Sequence, residues 1–129
     1  MEISCLIGQL NVESSMGESV REVILFKRYF DEFFDKQTRK VQEKLYWSIK
    51  ILRTVEDIPR NHLKALAGTD GLMEMRTQFG GNIYRVFCFF DEGKIVVLMN
   101  GFQKKTEKTP QNEIDRALRI REEYYAEKG

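Results

Sequence analysis

The 129-residue chain is poor in several residue types: one histidine, one tryptophan, two prolines and two cysteines. Each scarcity excludes something. A lone His62 rules out catalysis that needs two imidazoles as paired acid and base. Cys5 and Cys88 lie far apart and share no CxxC spacing, which argues against a zinc clip or a secreted disulfide scaffold and for a reduced, cytoplasmic protein. No apolar run approaches the roughly 20 residues needed to cross a bilayer. The chain starts Met1-Glu2 and carries only a short apolar stretch, Ile3 to Leu10, without a basic region, so a signal peptide is not expected. P-loop, GxSxG and HExxH patterns are missing, and so are clusters of metal-ligating residues; no metal or cofactor is expected.

What is present describes a globular domain. The composition is 42% hydrophobic and 32% charged, outside the range of disordered chains. The length suits one domain with a real core. Charge is unevenly spread although the net value is only +1. Residues 1–20 carry Glu2, Glu13 and Glu18 and no base, whereas residues 60–108 carry eight bases against five acids. The acidic start suggests an arm over residues 1–19, followed by a single domain over residues 20–129. The basic middle suggests a local phosphate site rather than a long nucleic-acid groove.

The hydrophobic period changes along the chain. Val20 to Phe26 is rich in β-formers and predicts a strand. Phe30, Phe33 and Phe34, spaced i, i+3, i+4, predict a short helix over Tyr29–Gln37. Thr38 suits the N-cap of a longer helix, with Val41, Leu45, Ile49 and Leu52 on one face, ending before Pro59. Beyond Gly68 and Gly71 the period falls to two. Leu72–Gln78, Ile83–Phe90 and Ile95–Phe102 read as three strands, joined at Gly80-Gly81-Asn82 and Asp91-Glu92-Gly93. Pro110 suits the start of a final helix whose apolar face holds Ile114, Ala117, Leu118 and Tyr124 or Tyr125. The expected class is therefore α+β: an antiparallel sheet made of an N-terminal strand and a three-strand meander, packed on two N-terminal helices, with a C-terminal helix. An open face of such a sheet can carry function, since its alternate side chains need not be apolar. Seven aromatic residues, Phe30, Phe33, Phe34, Trp47, Phe87, Phe89 and Phe90, read as core.

Among the polar residues, Glu74 and Arg76 should share one strand face, and Arg85 sits amid apolar neighbours on the next strand. Lys64 precedes this sheet; Lys104, Lys105 and Lys108 follow its last strand. Arginine can hold a phosphate through two parallel bonds. A lysine crowded by cations can move protons, and Glu74 is the alternative base. The same residues also allow a plain structural account, in which Glu74 and Arg76 form an ion pair and the lysines are solvated. A charge at Arg85 needs a partner or a role, because burying it alone is costly.

Three motifs occur in order: Leu66-x-Gly68-x-x-Gly71-Leu72-x-Glu74-x-Arg76, then Tyr84-Arg85-Val86, then Gly101-Phe102-x-Lys104-Lys105-Thr106-x-Lys108-Thr109-Pro110. With Phe30-x-x-Phe33 upstream and Glu113-Ile114-x-x-Ala117 downstream, the chain resembles the phage-derived Gp49-like, HigB-type toxins of the RelE/ParE superfamily over residues 20–126. The resemblance implies a RelE-like fold and a type II toxin–antitoxin toxin that cleaves mRNA in the ribosomal A site, using the 2′-hydroxyl as nucleophile without a metal. It implies Arg76 as transition-state stabiliser, Lys64 as base or phosphate ligand, and Lys108 as acid. Arg85, Lys104 and Lys105 would bind RNA or phosphate. The implied partners are the ribosome with its mRNA and a helix-turn-helix antitoxin, with no membrane. One departure is that the end of the last strand offers Phe102 and lysines where these nucleases often carry tyrosine or histidine. Two other functions remain open: a ParE-like binding toxin acting on DNA gyrase, and an inactive phage-derived interaction protein.

Overall fold

The computed structural model describes residues 19–104 and 108–129. The N-terminal arm with its short apolar stretch at Ile3–Leu10, together with Cys5 and Lys105, lies outside the described residues, and so does the side chain of Lys104. The chain begins with β1 (Glu22–Leu25), then α1 (Tyr29–Asp35) and α2 (Arg39–Thr54). Four strands follow: β2 (Leu63–Ala65), β3 (Met73–Phe79), β4 (Asn82–Asp91) and β5 (Ile95–Lys104). The last element is α3 (Gln111–Lys128).

The five strands form one sheet in the order β1-β5-β4-β3-β2. The meander is antiparallel as expected, but β1 runs parallel to β5, with Glu22 opposite Ile95 and Leu25 opposite Leu98. The sheet is therefore mixed. The physical reason is connectivity: α1 and α2 carry the chain across one face between β1 and the meander, and such a crossover permits a parallel neighbour. The short strand β2 falls in a stretch with no alternating pattern. It exists because Leu63, Lys64 and Ala65 pair with Met75, Glu74 and Met73 of β3.

Local chemistry explains the joints. Thr38 caps α2, its Oγ1 accepting from the Val41 amide at 3.3 Å. Gly80 and Gly81 both have positive φ, 60° and 78°, which a two-residue hairpin needs and glycine adopts without strain. Met99 and Asn100 together face Phe87, because Cys88 pairs with Leu98 while Val86 pairs with Gly101. This bulge resets the alternation of β5.

Two apolar layers result. On one face α1 and α2 pack through Phe30, Phe33, Phe34, Val41, Leu45, Ile49 and Leu52 onto Met75, Tyr84, Val86, Cys88, Val96 and Leu98. On the other, α3 packs through Ala117 and Ile120 onto Phe87, Phe89, Val97 and Met99. Burying each large apolar side chain contributes about 1.5–3 kcal/mol, so both layers matter. The Cys88 thiol sits in the first layer, and burial pushes its pKa up to about 12. Gly101 leaves room for Phe33: a β-carbon there would stand 2.5 Å from the ring. Trp47 departs from the expected aromatic core, being 53% exposed on the outer side of α2. Among the described residues, no helix is long and apolar enough to cross a membrane.

Candidate functional site

The alternation of β3 divides its side chains as the sequence suggests. Met73 and Met75 join the layer beneath α1 and α2, and Thr77 reaches Ser48 of α2 through a buried 2.7 Å hydroxyl contact. Glu74 and Arg76 therefore point to the α3 side. On the flanking strands Lys64 stands opposite Glu74, and Arg85 stands opposite Arg76. His62 extends the β2 edge, its carbonyl accepting from the Arg76 amide at 2.8 Å.

Two arginines directly opposite each other on neighbouring strands would repel. The structure resolves this by burying one and leaving the other partly exposed. Arg85 is 2% exposed and Glu74 is fully buried. Arg85 Nη1 donates to Glu74 Oε1 in a very short contact. The Thr109 hydroxyl donates to the second carboxylate oxygen at 2.9 Å. Desolvation lowers the pKa of Arg85. A buried pair of this kind holds together because removing either member leaves an uncompensated charge.

The structure thus places Glu74, read from the sequence as a candidate base, and Arg85, read as a phosphate ligand, below the surface. A base needs hydrogen-bond reach to the proton it takes, and both Glu74 oxygens are already engaged. The expected Glu74–Arg76 pair does not form; Arg85 takes the carboxylate. Arg76 and Lys64 are partly exposed and, as diagonal neighbours across β2 and β3, share one side of the sheet. His62, also partly exposed, lies beside them at the edge. Lys108 is exposed, and the Thr109–Glu74 bond ties its neighbour to the same face. Lys104 ends β5 opposite Ile83.

The arrangement gathers Arg76, Lys64 and His62 at the β2–β3 edge, over a neutralised ion pair. Arg76 has no ion-pair partner among the described residues, so its fork is available to a phosphate. Lysine and imidazole nearby can transfer protons. Among the described residues, no group of three or more His, Cys, Asp or Glu side chains stands ready to hold a metal ion.

Sequence reasoning missed Thr109 as a structural tie, although it lies in the third motif beside Pro110. The dipeptide carries a signal: Pro110 occupies the N-cap position of α3 with no side-chain cap of its own, leaving the preceding hydroxyl to make the anchoring bond. A second cluster at the far end of α3 also went unread. Tyr124 Oη and Lys128 Nζ both donate to Asp91 Oδ2, at 2.6 and 2.7 Å. These bonds hold the Asp91 carboxyl below its ordinary pKa, Lys128 contributing most, and burial with Asp91 raises Tyr124 to about 12. Arg121 donates to the carbonyls of Thr69 and Asp70 at 2.9 Å. Together these bonds clamp α3 onto the sheet.

Comparison with known families matches the chain to the phage-derived protein Gp49-like family over residues 32–122. No curated protein matches the chain significantly. The matched span runs from within α1 to within α3 and so includes every strand except β1. On that coverage, the chain belongs to the Gp49-like family of phage-derived proteins, a RelE/HigB-like toxin family.

Proposed function

We propose that this protein is the toxin of a type II toxin–antitoxin pair and cleaves mRNA bound in the ribosome. The observation that carries the reading is the diagonal placement of Arg76 and Lys64 on one partly exposed sheet face, in a chain of a toxin family. In the proposed reaction the 2′-hydroxyl of one nucleotide loses its proton and attacks the adjacent phosphorus. The bond to the 5′-oxygen breaks, and that oxygen gains a proton. The products are a 2′,3′-cyclic phosphate and a 5′-hydroxyl.

Arg76 stabilises the charge that develops on the phosphoryl oxygens. Lys64 is diagonal to it across β2 and β3 and is the residue proposed for proton removal, a role in which the buried Glu74 cannot reach substrate. Lys108 is proposed to protonate the leaving oxygen. Lys104 and Lys105 are proposed to hold the RNA backbone, and Arg85 acts from beneath through Glu74. The protein would work in the cytoplasm, where the ribosome supplies the mRNA. A helix-turn-helix antitoxin would silence it.

The test is to express the wild type and Arg76→Ala from a tight promoter and map mRNA ends by primer extension. The wild type should produce cuts within translated codons. Arg76→Ala should reduce them by about a hundredfold or more, as for other transition-state donors, while changing stability by less than about 0.5 kcal/mol. Growth arrest without new mRNA ends would reject the nuclease and favour a bound target such as gyrase. No arrest would favour an inactive interaction protein.

A further inference from the structure

The outer side of α2 carries a feature that the proposed RNA chemistry does not use. Trp47 is 53% exposed there, although an indole is among the side chains that gain most from burial. At 100° per residue, Lys40, Lys44, Trp47 and Ile51 form one stripe with spacing i, i+4, i+7, i+11. That is the spacing of a helix–helix seam. Ile51 remains partly exposed, and Lys40 and Lys44 are exposed.

The charges around the indole are of one sign. Arg39 takes up Glu43 at 3.7 Å, the one carboxylate on this side of the helix. Lys40, Lys44 and Lys50 have no carboxylate partner among the described residues. Lys50 Nζ lies over the Trp47 ring, 4.7 Å from its centroid. Tyr46 meets the ring edge-on at 6.2 Å and is itself packed against the core. The indole is therefore braced in place, with less conformational entropy to lose on binding.

We infer that the outer face of α2 is a docking surface for an acidic amphipathic helix of a partner protein. Apolar residues of that helix would cover Trp47 and Ile51, and its carboxylates would meet Lys40, Lys44 and Lys50. Charge complementarity selects an acidic occupant, and the seam spacing selects a helix. A nucleobase fits less well, because it would stack on an indole face, and Lys50 already covers one. The surface lies across the sheet from Arg76 and Lys64, so a partner docked here leaves the candidate site open. The inference is independent of the nuclease reading.

Trp47 is the only tryptophan of the chain, so its emission reports this surface directly. The full chain would be titrated with three probes. One is a helical peptide about three heptads long with leucine at a and d and glutamate at the flanking positions. The second is the same peptide with lysine for glutamate, and the third is oligouridine. The acidic peptide should shift the emission to shorter wavelength, with affinity that falls as salt rises. Followed by anisotropy of the labelled peptide, Trp47→Ala should weaken binding at least about tenfold. Lys44→Glu with Lys50→Glu should do the same, and Arg119→Glu on the opposite face should change nothing.

Three results would overturn the inference. Equal binding of acidic and basic peptides would remove the charge argument. A shift with oligouridine alone would make this a nucleic-acid surface. Emission already at short wavelength in the isolated protein would mean that the chain itself, or a second copy, covers the indole.

Discussion

The two faces of the sheet are built by different rules. Beneath α1 and α2 the layer is mostly apolar; Ser48 and Thr77 satisfy each other within it, and at the end of α2 the buried Arg53 donates to the Ser19 hydroxyl. Beneath α3 the layer is apolar only in part. Past the start of that helix lie a sealed ion pair and two partly exposed cations. The first face follows from hydrophobic burial, which is non-directional and tolerant. The second depends on directed bonds, where losing one partner costs more than the bond contributed. Stability should therefore be most fragile where the charges are, and function should reside there too.

The sharpest way to break this contrast is Glu74→Ala, which leaves Arg85 buried without its counter-charge. It should destabilise the fold by about 3–5 kcal/mol in urea unfolding. Replacing Glu74 and Arg85 together with leucine and methionine should restore most of that loss, and a double-mutant cycle would measure the coupling. If the single and double variants are equally unstable, charge is not what holds this face.

On the apolar face the matching test is steric. Gly101→Ala puts a methyl against the Phe33 ring and should cost about 1–3 kcal/mol. Phe33→Leu in the same chain should recover part of it. A smaller effect, about 1 kcal/mol, is expected from Thr109→Val, which keeps volume and loses the bond to Glu74. If the nuclease reading holds, that variant should lose more cleavage than stability, and Thr109→Ser should recover both.

The weakest perturbation is pH. The Asp91 pKa is depressed in the fold, so its contribution is present above the ordinary aspartate value of about 4 and is lost as pH falls through the folded value. Tyr124 is raised to about 12, so its contribution holds below about 10 and is lost as pH rises toward 12. Hydrogen exchange in the last turns of α3 should stay slow between those limits and quicken outside them. Asp91→Asn should remove the acid limb.

Much of this was legible in the sequence. The i, i+3, i+4 phenylalanines, the Thr38 cap and the change of period after Pro59 locate the helices and the meander to within a few residues. The third motif also yields its physical meaning: Gly101 makes room for Phe33, and Phe102 stacks on Phe87 with centroids 5.4 Å apart. Those residues shape the fold, not the chemistry. The candidate site was legible only by type. Alternation put Glu74 and Arg76 on one side but did not place Lys64, and nothing local tells which cation takes the carboxylate. Strand register decides that, and Arg85 stands close enough only once β3 and β4 are paired.

The sequence by itself determined the three helices, four of the five strands, their order and the alternation along β3, because periods of 2 and 3.6 are local properties of the backbone. It did not determine that β1 would join β5 in parallel, that three residues after His62 would become an edge strand, or that α3 would fold back over part of the face expected to stay open. Those outcomes depend on contacts between residues distant along the chain. The same closure decided the fate of the charges. With Thr109 drawn onto Glu74, Arg85 is sealed inside and Arg76 is left outside, so two arginines on adjacent strands acquire opposite roles from tertiary structure alone.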